Sequence, residues 1–563
     1  MANIFFDITV IICFAAVLSL IFRFFKQPEI LAYILTGILI GPLGIFKATD
    51  QATIQAMSQV GITLLLFMVG LEIRISDLLT LGKTVLFAAI SQIVLTFFVS
   101  FIVIETLGYS ALPVLYLGLA LTFSSTVIIV KILSDKRDMH SLYAKISLVI
   151  LLAQDLLAIL TLMFLSGLNQ QTGGFQSFFQ FGLVGLKAAA LFAIVIYLSI
   201  NVFPKIVELV AKSQETLFLV SLAWVFGLAA FVSSPVIGFS IEIGGFLAGL
   251  SLANSIANYQ IIAKAKILRD FFIVIFFVFL GMQMSFANLP SILLPAIVLS
   301  FFVLAVKPLI VMATLGLMGY RKRTSFLTGI SQSQISEFSL ILIFLGYKLG
   351  HVSQTEVSTI TLVGIITFSI SAYLISNGNK IYLTFNKRLS FMEVKTNKKD
   401  EMVVSDGFEN LKNHVVVIGG DQMGESIVDA LEDLKTEVVV IDFDPAIVKK
   451  LEKKKVHRLF GDISDLDIQE RAQLDSAKLV ISTVPDLEDN QLLLKELRHE
   501  NRKAKIVVMA LDSHDAKILY KEGADYVVLP HLAGGRQIAK ILLDDDNLEH
   551  IEKLRKKDQK YLD

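Results

Sequence analysis

Apolar runs of about twenty residues, parted by short polar stretches, fill the first two thirds of the chain, and the last third changes to short apolar runs alternating with amphipathic ones. Runs of the first kind are what a helix needs to cross a bilayer. About thirteen are recognisable, at 5–22, 29–45, 54–71, 84–106, 112–133, 143–167, 179–203, 216–234, 238–257, 270–286, 290–318, 325–347 and 353–376. They predict a polytopic α-helical membrane part over 1–380. A polar linker follows over 381–411, including "MEVKTNKKDEMVVSDGFENLKN". In the next segment "HVVVIGGDQMGESIVDALEDL" reads as strand, tight turn and helix, and "EVVVIDFDP" as a second strand ending at Asp442. Further strands are expected at 456–460, 479–484, 505–510 and 526–529, with helices between. Residues 412–545 are therefore expected to form a doubly wound, Rossmann-like α/β domain, and 546–563 a charged tail.

Composition agrees with a membrane protein. The chain is 55% hydrophobic with 42 phenylalanines, and its mean hydropathy is +0.70, too apolar for a soluble protein of 563 residues. Residues 1–390 hold 23 Lys+Arg against 15 Asp+Glu, and the remainder 27 against 35, a basic membrane part before an acidic soluble part. Loops after odd-numbered spans carry Arg23 and Lys26, Arg74 and Lys83, Lys136 and Arg137, Lys205 and Lys212, Lys264 to Arg269, and Arg321 to Arg323. Loops after even-numbered spans are nearly bare. The positive loops belong in the cytoplasm, which places the N-terminus outside and the C-terminal domain inside, in a cell inner membrane. No basic stretch precedes the first apolar run, so it reads as a span and not as a cleaved signal. The single cysteine, Cys13, excludes an intrachain disulfide and a cysteine metal cluster. The expected surroundings are the lipid bilayer, with no nucleic acid partner.

Charges at bilayer depth mark the chemistry, because they are tolerated mainly where they face a bundle interior or a wet cavity. Asp155 lies in the middle of the sixth run, Lys307 well inside the eleventh in "LAVKPLIV", and Glu337 inside the twelfth in "SQSQISEFSLILI". Lys187 and Glu242 lie closer to span ends, where a side chain can snorkel. A salt bridge between Asp155 and Lys307 is the bland reading of that pair, and a cation or proton site at Asp155 the functional one. Two stretches add to this. "LALTFSSTVIIV" crowds Thr122, Ser124, Ser125 and Thr126 together, and "GISQSQISEF" crowds Ser331, Gln332, Ser333, Gln334 and Ser336. Hydroxyls and amides at that density either pack helices or satisfy the backbone where a helix breaks to hold an ion. Each stretch is the middle of three runs, 84–167 and 290–376, an arrangement expected of an inverted repeat.

Six stretches in order, "KQPEILAYILTGILIGPLG", "GITLLLFMVGLEI", "ALTFSSTVIIVKIL", "LLAQDLLAI", "EIGGFLAGLSLA" and "SQSQISEFSLIL", resemble the cation:proton antiporter-2 family, in particular its potassium-efflux branch with a C-terminal nucleotide-binding regulatory domain. The resemblance spans essentially the whole chain. It implies a homodimer in which a core containing two crossed, partly unwound helices moves like an elevator. It makes Asp155 the carboxylate that binds cation and proton, Thr122, Ser124 and Ser125 the polar part of one broken helix, and Ser331 to Glu337, with Ser333, that of the other. Lys307 resembles the basic residue near the ion site. Electrogenic sodium/proton relatives have an aspartate at the position of Gln154, whereas the potassium-efflux branch has glutamine.

Desolvation penalises the ionised carboxylate, so a proton and a monovalent cation compete for Asp155, and Gln154 can offer an amide oxygen without a second titrating group. Electroneutral one-for-one exchange follows. Lys307 is neutral, paired with Asp155, or balanced by Glu337, and the sequence leaves these open. Potassium is favoured by the resemblance and sodium stays open. The alternative from another class is a ligand-gated potassium channel.

The turn after the first strand places Gly419, Gly420 and Gly424 in a dinucleotide-type fingerprint, followed by Asp442 for ribose hydroxyls. Asp462 in "LFGDISD" resembles the family's residue near the base. Asp421 stands where the middle glycine belongs and sets bulk and negative charge against a pyrophosphate. AMP or another adenine nucleotide is the expected cofactor, a nucleotide-free dimerisation scaffold the alternative. No second, substrate-binding domain accompanies the fold, so an enzyme is not expected. At 258–271 "NYQIIAKAKILRDF" replaces the acidic loop of glutathione-gated members, which speaks against a glutathione gate. That basic stretch is suited to dock on an acidic soluble domain.

Overall fold

The computed structural model describes residues 4–46, 51–72, 82–166 except 137 and 140, 175–389 except 211, 212, 235, 236, 256, 286–288, 319 and 321, 411–544 except 443, 444, 452, 453, 455, 462, 464, 465, 501 and 502, and Arg555. It divides into a helical unit within residues 1–136 and 143–394 and a smaller unit within 395–563, to which 137–142 are assigned.

The helical unit begins with α1 (Ile4–Phe24), α2 (Glu29–Ile40), α3 (Gln51–Glu72), α4 (Gly82–Thr106), α5 (Ala111–Thr122), α6 (Thr126–Lys136) and α7 (Leu142–Ser166). It continues with α8 (Phe175–Asn201), α9 (Phe203–Val210), α10 (Gln214–Val232), α11 (Ile241–Leu252) and α12 (Asn258–Met282). The last helices are α13 (Leu289–Phe301), α14 (Lys307–Leu317), α15 (Lys322–Ser331), α16 (Glu337–Lys348), α17 (Gln354–Ser376) and α18 (Gly378–Leu389). Among the described residues eight are long and apolar enough to cross a membrane when α5 and α6 are taken together and α13 and α14 likewise, and nine if the bent pair α8 and α9 is one span. The protein is thus a multi-pass membrane protein.

Three runs differ from expectation. The stretch 258–271, expected as a loop, is the first half of one continuous helix, α12. Helix α18 carries the chain past 380 to Leu389, so the first residues of the expected linker are helical. The run 325–347 is two short helices with residues 332–336 between them. Of the linker expected at 381–411, residues 390–410 lie outside the described residues, as does the tail at 546–563, Arg555 aside.

Without a hydrophobic drive between helices in lipid, close backbone approach decides packing. Helix α3 packs against α11 and α12. A Cβ at Gly249 would sit 2.0 Å from Phe67 O, so only glycine permits that contact.

Between α13 and α14 the helix widens to a π turn over Phe302–Val306, and the N–H of Lys307 bonds Phe302 O, five residues back. Pro308, the second residue of α14, has no N–H and its ring crowds the carbonyl four residues before it, so the ordinary ladder cannot continue there.

The smaller unit is a parallel six-stranded sheet: β1 (Val415–Ile418), β2 (Val438–Asp442), β3 (His457–Phe460), β4 (Leu479–Ser482), β5 (Lys505–Met509) and β6 (Tyr526–Val528), ordered β3-β2-β1-β4-β5-β6. β1 and β2 are buried throughout and accordingly read as unbroken apolar runs. Helix α19 (Gln422–Asp433) follows β1.

At the edge of the sheet Asp525 accepts from Ile506 N (2.8 Å), Arg498 Nη2 (2.7 Å) and Lys505 Nζ (3.0 Å). Burial acts to raise its pKa, but the Ile506 N–H and the two cations together outweigh it and bring the carboxyl down to about 2. A carboxylate with a depressed folded-state pKa stabilises above its unfolded value, about 4, and loses that contribution as pH falls towards 2. Asp525→Asn is expected to lower amide-exchange protection of β5 and β6 at neutral pH and to flatten its decline between these values. Equal protection curves for mutant and wild type would contradict this.

Candidate functional site

The two short polar stretches are where helices stop and restart. Phe123 (φ −81°, ψ 150°) ends α5 in extended conformation, and α6 begins at Thr126. Ser336 is likewise extended before α16 (φ −105°, ψ 162°). Each break frees carbonyls and N–H groups that the helix would have paired, and buried ones must find other partners. Lys307, 0% exposed, supplies one set: its Nζ donates to Phe123 O at 2.8 Å and to Gln334 O at 3.1 Å. One amine group therefore ties both breaks together. Of the three expected states of Lys307, the pairing with Asp155 is not formed here, and the amine bonds backbone carbonyls, which it can do neutral or charged.

The breaks also bond each other. Ser124 Oγ donates to Gln332 O (3.2 Å), Gln334 Nε2 to Ser125 O (3.3 Å), and Ser125 Oγ to Glu337 Oε1 (2.7 Å). Ser125 Oγ also accepts from Ile128 N (3.3 Å), capping α6. Glu337 is the first residue of α16, where the helix dipole favours a carboxylate.

Asp155, midway along α7, is buried. Its Oδ2 accepts from Thr126 Oγ1 at 2.8 Å, and its Oδ1 has no hydrogen-bond partner among the described residues. Both amide atoms of Gln332 are buried in the same condition. Unpaired buried polar atoms are costly, by about 1–3 kcal/mol each, and a site that retains them asks for a ligand.

Gln154 is held at both ends: its Oε1 accepts from Ser124 N (2.9 Å) and its Nε2 donates to Gln92 Oε1 (2.9 Å). Thr122 and Ser333 bond back onto their own turns, Thr122 Oγ1 to Gly118 O at 2.9 Å and Ser333 Oγ to Ile330 O at 2.6 Å. The structure thus brings Asp155, Gln154, Ser124, Ser125, Lys307 and Glu337 into one connected network, with Thr122 and Ser333 at its margins. Sequence reasoning missed Thr126 as the partner of Asp155, and it missed Gln92. A signal for Gln92 existed: with Thr96 and Ser100 it makes a polar stripe at four-residue spacing along apolar α4. Glu242 and Lys348 pair at 3.4 Å away from this network.

In the smaller unit Gly419 has φ +86°, which only glycine adopts freely, and a Cβ at Gly424 would lie 1.8 Å from Gly419 O. These are the tight turn and the close helix packing of a nucleotide-binding turn. Asp442 Oδ2 accepts from Gly420 N at 2.7 Å and so closes the turn from the end of β2. Asp421 is the exposed N-cap of α19, a negative charge at the position where phosphate would meet the helix N-terminus. Asp462 lies outside the described residues.

The family description "Sodium/hydrogen exchanger, transmembrane" matches residues 9–376, and "TrkA-N domain" matches 415–530. The chain is 26% identical over 548 residues to the putative cation/proton antiporter YbaL of Escherichia coli (strain K12), covering 94% of this chain and 95% of that one. It is 25% identical over 487 residues to the glutathione-regulated potassium-efflux system protein KefC of Klebsiella pneumoniae (strain 342), covering 86% and 76%. Among solved structures, the sodium proton antiporter MjNhaP1 of Methanocaldococcus jannaschii matches with a TM-score of 0.52 at 16% identity over 68% of this chain and 97% of that one, a likeness of fold alone.

Proposed function

Because the chain belongs to the sodium/hydrogen exchanger family, in its cation:proton antiporter-2 branch with a TrkA-N regulatory domain, we propose that it exchanges potassium for protons one for one through Asp155. It is a secondary active monovalent cation:proton antiporter, a transporter and not an enzyme. The observation that carries the stoichiometry is Lys307. With its amine on Phe123 O and Gln334 O, it stays outside the exchange in this reading, and Asp155 is left with one oxygen on Thr126 and one without a partner among the described residues. A carboxylate in that position holds either a cation or a proton, so each half-cycle moves one positive charge and the full cycle none. The potassium-efflux name of the Klebsiella relative supports potassium over sodium.

We read the membrane part as about thirteen spans with the N-terminus outside and the soluble unit in the cytoplasm of an inner membrane, a reading supported by the basic loops. The matched breaks at 123–125 and 332–336 support two crossed, broken helices in an inverted repeat. The working form in this reading is a homodimer whose core carries both breaks across the membrane. Gly419, Gly420, Gly424 and Asp442, with Asp462, would hold AMP or another single adenine nucleotide. The Asp421 carboxylate disfavours a pyrophosphate there.

The test is protein in sealed vesicles with internal pH followed as potassium or sodium is added outside. Potassium-driven proton efflux without net charge movement is expected, and its rate is expected to change with AMP in wild type but not in Asp442→Ala. A current accompanying exchange would refute the stoichiometry, cation flux without proton countermovement would indicate a channel, and indifference to AMP would remove the nucleotide.

A further inference from the structure

We propose that Gln92 is a positioning residue of the ion site: it fixes the orientation of the Gln154 amide, which in turn holds the break of the α5–α6 helix beside Asp155. The inference rests on the reading of Asp155 as the exchange site. Four buried groups form one directed chain. Ser124 N donates to Gln154 Oε1 at 2.9 Å, Gln154 Nε2 donates to Gln92 Oε1 at 2.9 Å, and Gln92 Nε2 donates to Thr96 Oγ1 at 2.9 Å. Ser124 and Gln154 are 0% exposed and Gln92 1%, so water has no part in choosing which way these amides point.

A glutamine amide is nearly symmetric in shape and asymmetric in chemistry. Flipped, Gln154 would set its NH2 against the Ser124 N–H and its oxygen against the Gln92 oxygen, two repulsive contacts in place of two hydrogen bonds. The Ser124 N–H, which can only donate, sets the direction of the chain, and Gln92 secures the working orientation by giving the Gln154 NH2 its acceptor, held in place by the bond from Gln92 Nε2 to the Thr96 hydroxyl. The consequence reaches the ion site by two short covalent paths. Gln154 precedes Asp155 on α7, and Ser124 lies two residues before Thr126, the donor to Asp155 Oδ2. In this arrangement Gln154 serves the cation through the backbone it holds, and its amide is committed before any ion arrives.

Gln92→Leu removes the acceptor of Gln154 Nε2 while keeping an apolar side chain of similar size in an apolar helix. Loss of one buried hydrogen bond to an amide that is then free to flip corresponds to a weakening of apparent potassium affinity on the order of tenfold, with the maximal rate less affected. Gln92→Glu adds a discriminating readout. As the neutral acid it reproduces both bonds, its carbonyl accepting from Gln154 and its hydroxyl donating to Thr96, and as the anion it still accepts from Gln154 while the Thr96 hydroxyl turns to donate to it. Its potassium affinity is therefore expected to stay near that of wild type across the pH range in which Gln92→Leu has lost it.

The measurement is potassium-dependent proton efflux in vesicles for wild type, Gln92→Leu, Gln92→Glu, Gln154→Leu and the double mutant Gln92→Leu/Gln154→Leu, across pH. If Gln92 acts through Gln154, the double mutant is no worse than Gln154→Leu alone. Additive losses, an unchanged affinity in Gln92→Leu, or a Gln92→Glu affinity as low as that of Gln92→Leu would each overturn the inference. Wild type that exchanges normally and is silenced by Asp155→Asn in the same vesicles would confine that failure to Gln92. Absence of exchange in wild type would instead remove the reading on which it rests.

Discussion

Asp155→Asn is expected to abolish potassium-driven proton movement and to leave the protein folded. Asparagine has nearly the same shape, and its amide oxygen can still accept from Thr126 Oγ1, which lies 2.8 Å from Asp155 Oδ2. The structural bond therefore survives. What is lost is the negative charge, and with it both ligands: a neutral amide neither takes a proton near neutral pH nor balances a buried cation. Deleting one partner of a desolvated charge pair removes roughly 2–5 kcal/mol of binding, a loss of about thirtyfold or more. Stability moves the other way or not at all, since a buried carboxylate is expensive to keep ionised. Matching melting temperatures with no exchange is the expected pair of results. Residual exchange at wild-type rate would mean that the proton travels on another group, with Glu337 the next carboxylate in the network.

The second large effect is at Lys307. Lys307→Met keeps the length and apolar volume of the side chain but strips the donor from Phe123 O and Gln334 O. Two buried carbonyls left unpaired cost about 1–3 kcal/mol each. Relief from burying the amine offsets part of that, so a net loss of about 2 kcal/mol is expected, seen as a lower melting temperature in detergent. Exchange should fall on the order of tenfold or more, because the two breaks lose the group that bonds a carbonyl of each and keep only the bonds of Ser124, Ser125 and Gln334 between them. Whatever exchange remains stays electroneutral. Had the lysine carried the proton in partnership with Asp155, its removal would change the charge moved per cycle. A current that appears or disappears in Lys307→Met would therefore reject its role as a backbone tether.

Much of the site was legible because rare residues in an apolar background carry their own warning. A carboxylate at Asp155, a lysine in "LAVKPLIV" and a glutamate after "SQSQIS" each need a reason to be at bilayer depth. The hydroxyl-rich stretches marked both breaks to within a few residues. The glycine turn and the strands were equally open, β1 and β2 most plainly, since a parallel strand buried throughout writes itself as an apolar run. The eleventh run hid its π turn, although Pro308 was in view, because a proline says where a helix ladder is interrupted and not how the backbone relaxes.

The partners were another matter. Lys307 bonds Phe123 O across a separation of 184 residues, and every residue of the chain offers such a carbonyl. Composition and periodicity distinguish side chains, so they single out which groups must be satisfied, but backbone acceptors are identical in sequence and differ only in whether a helix has already used them. For that reason the sequence by itself determined a polytopic membrane protein with an ionisable group at Asp155, two hydroxyl-rich interruptions and a parallel nucleotide-type sheet. Only the tertiary structure decided that the lysine serves the backbone and not the aspartate, that Thr126 is the aspartate's donor, and that Gln154 answers to Gln92. Those choices depend on which freed carbonyl and which amide come within about 3 Å once the helices have packed.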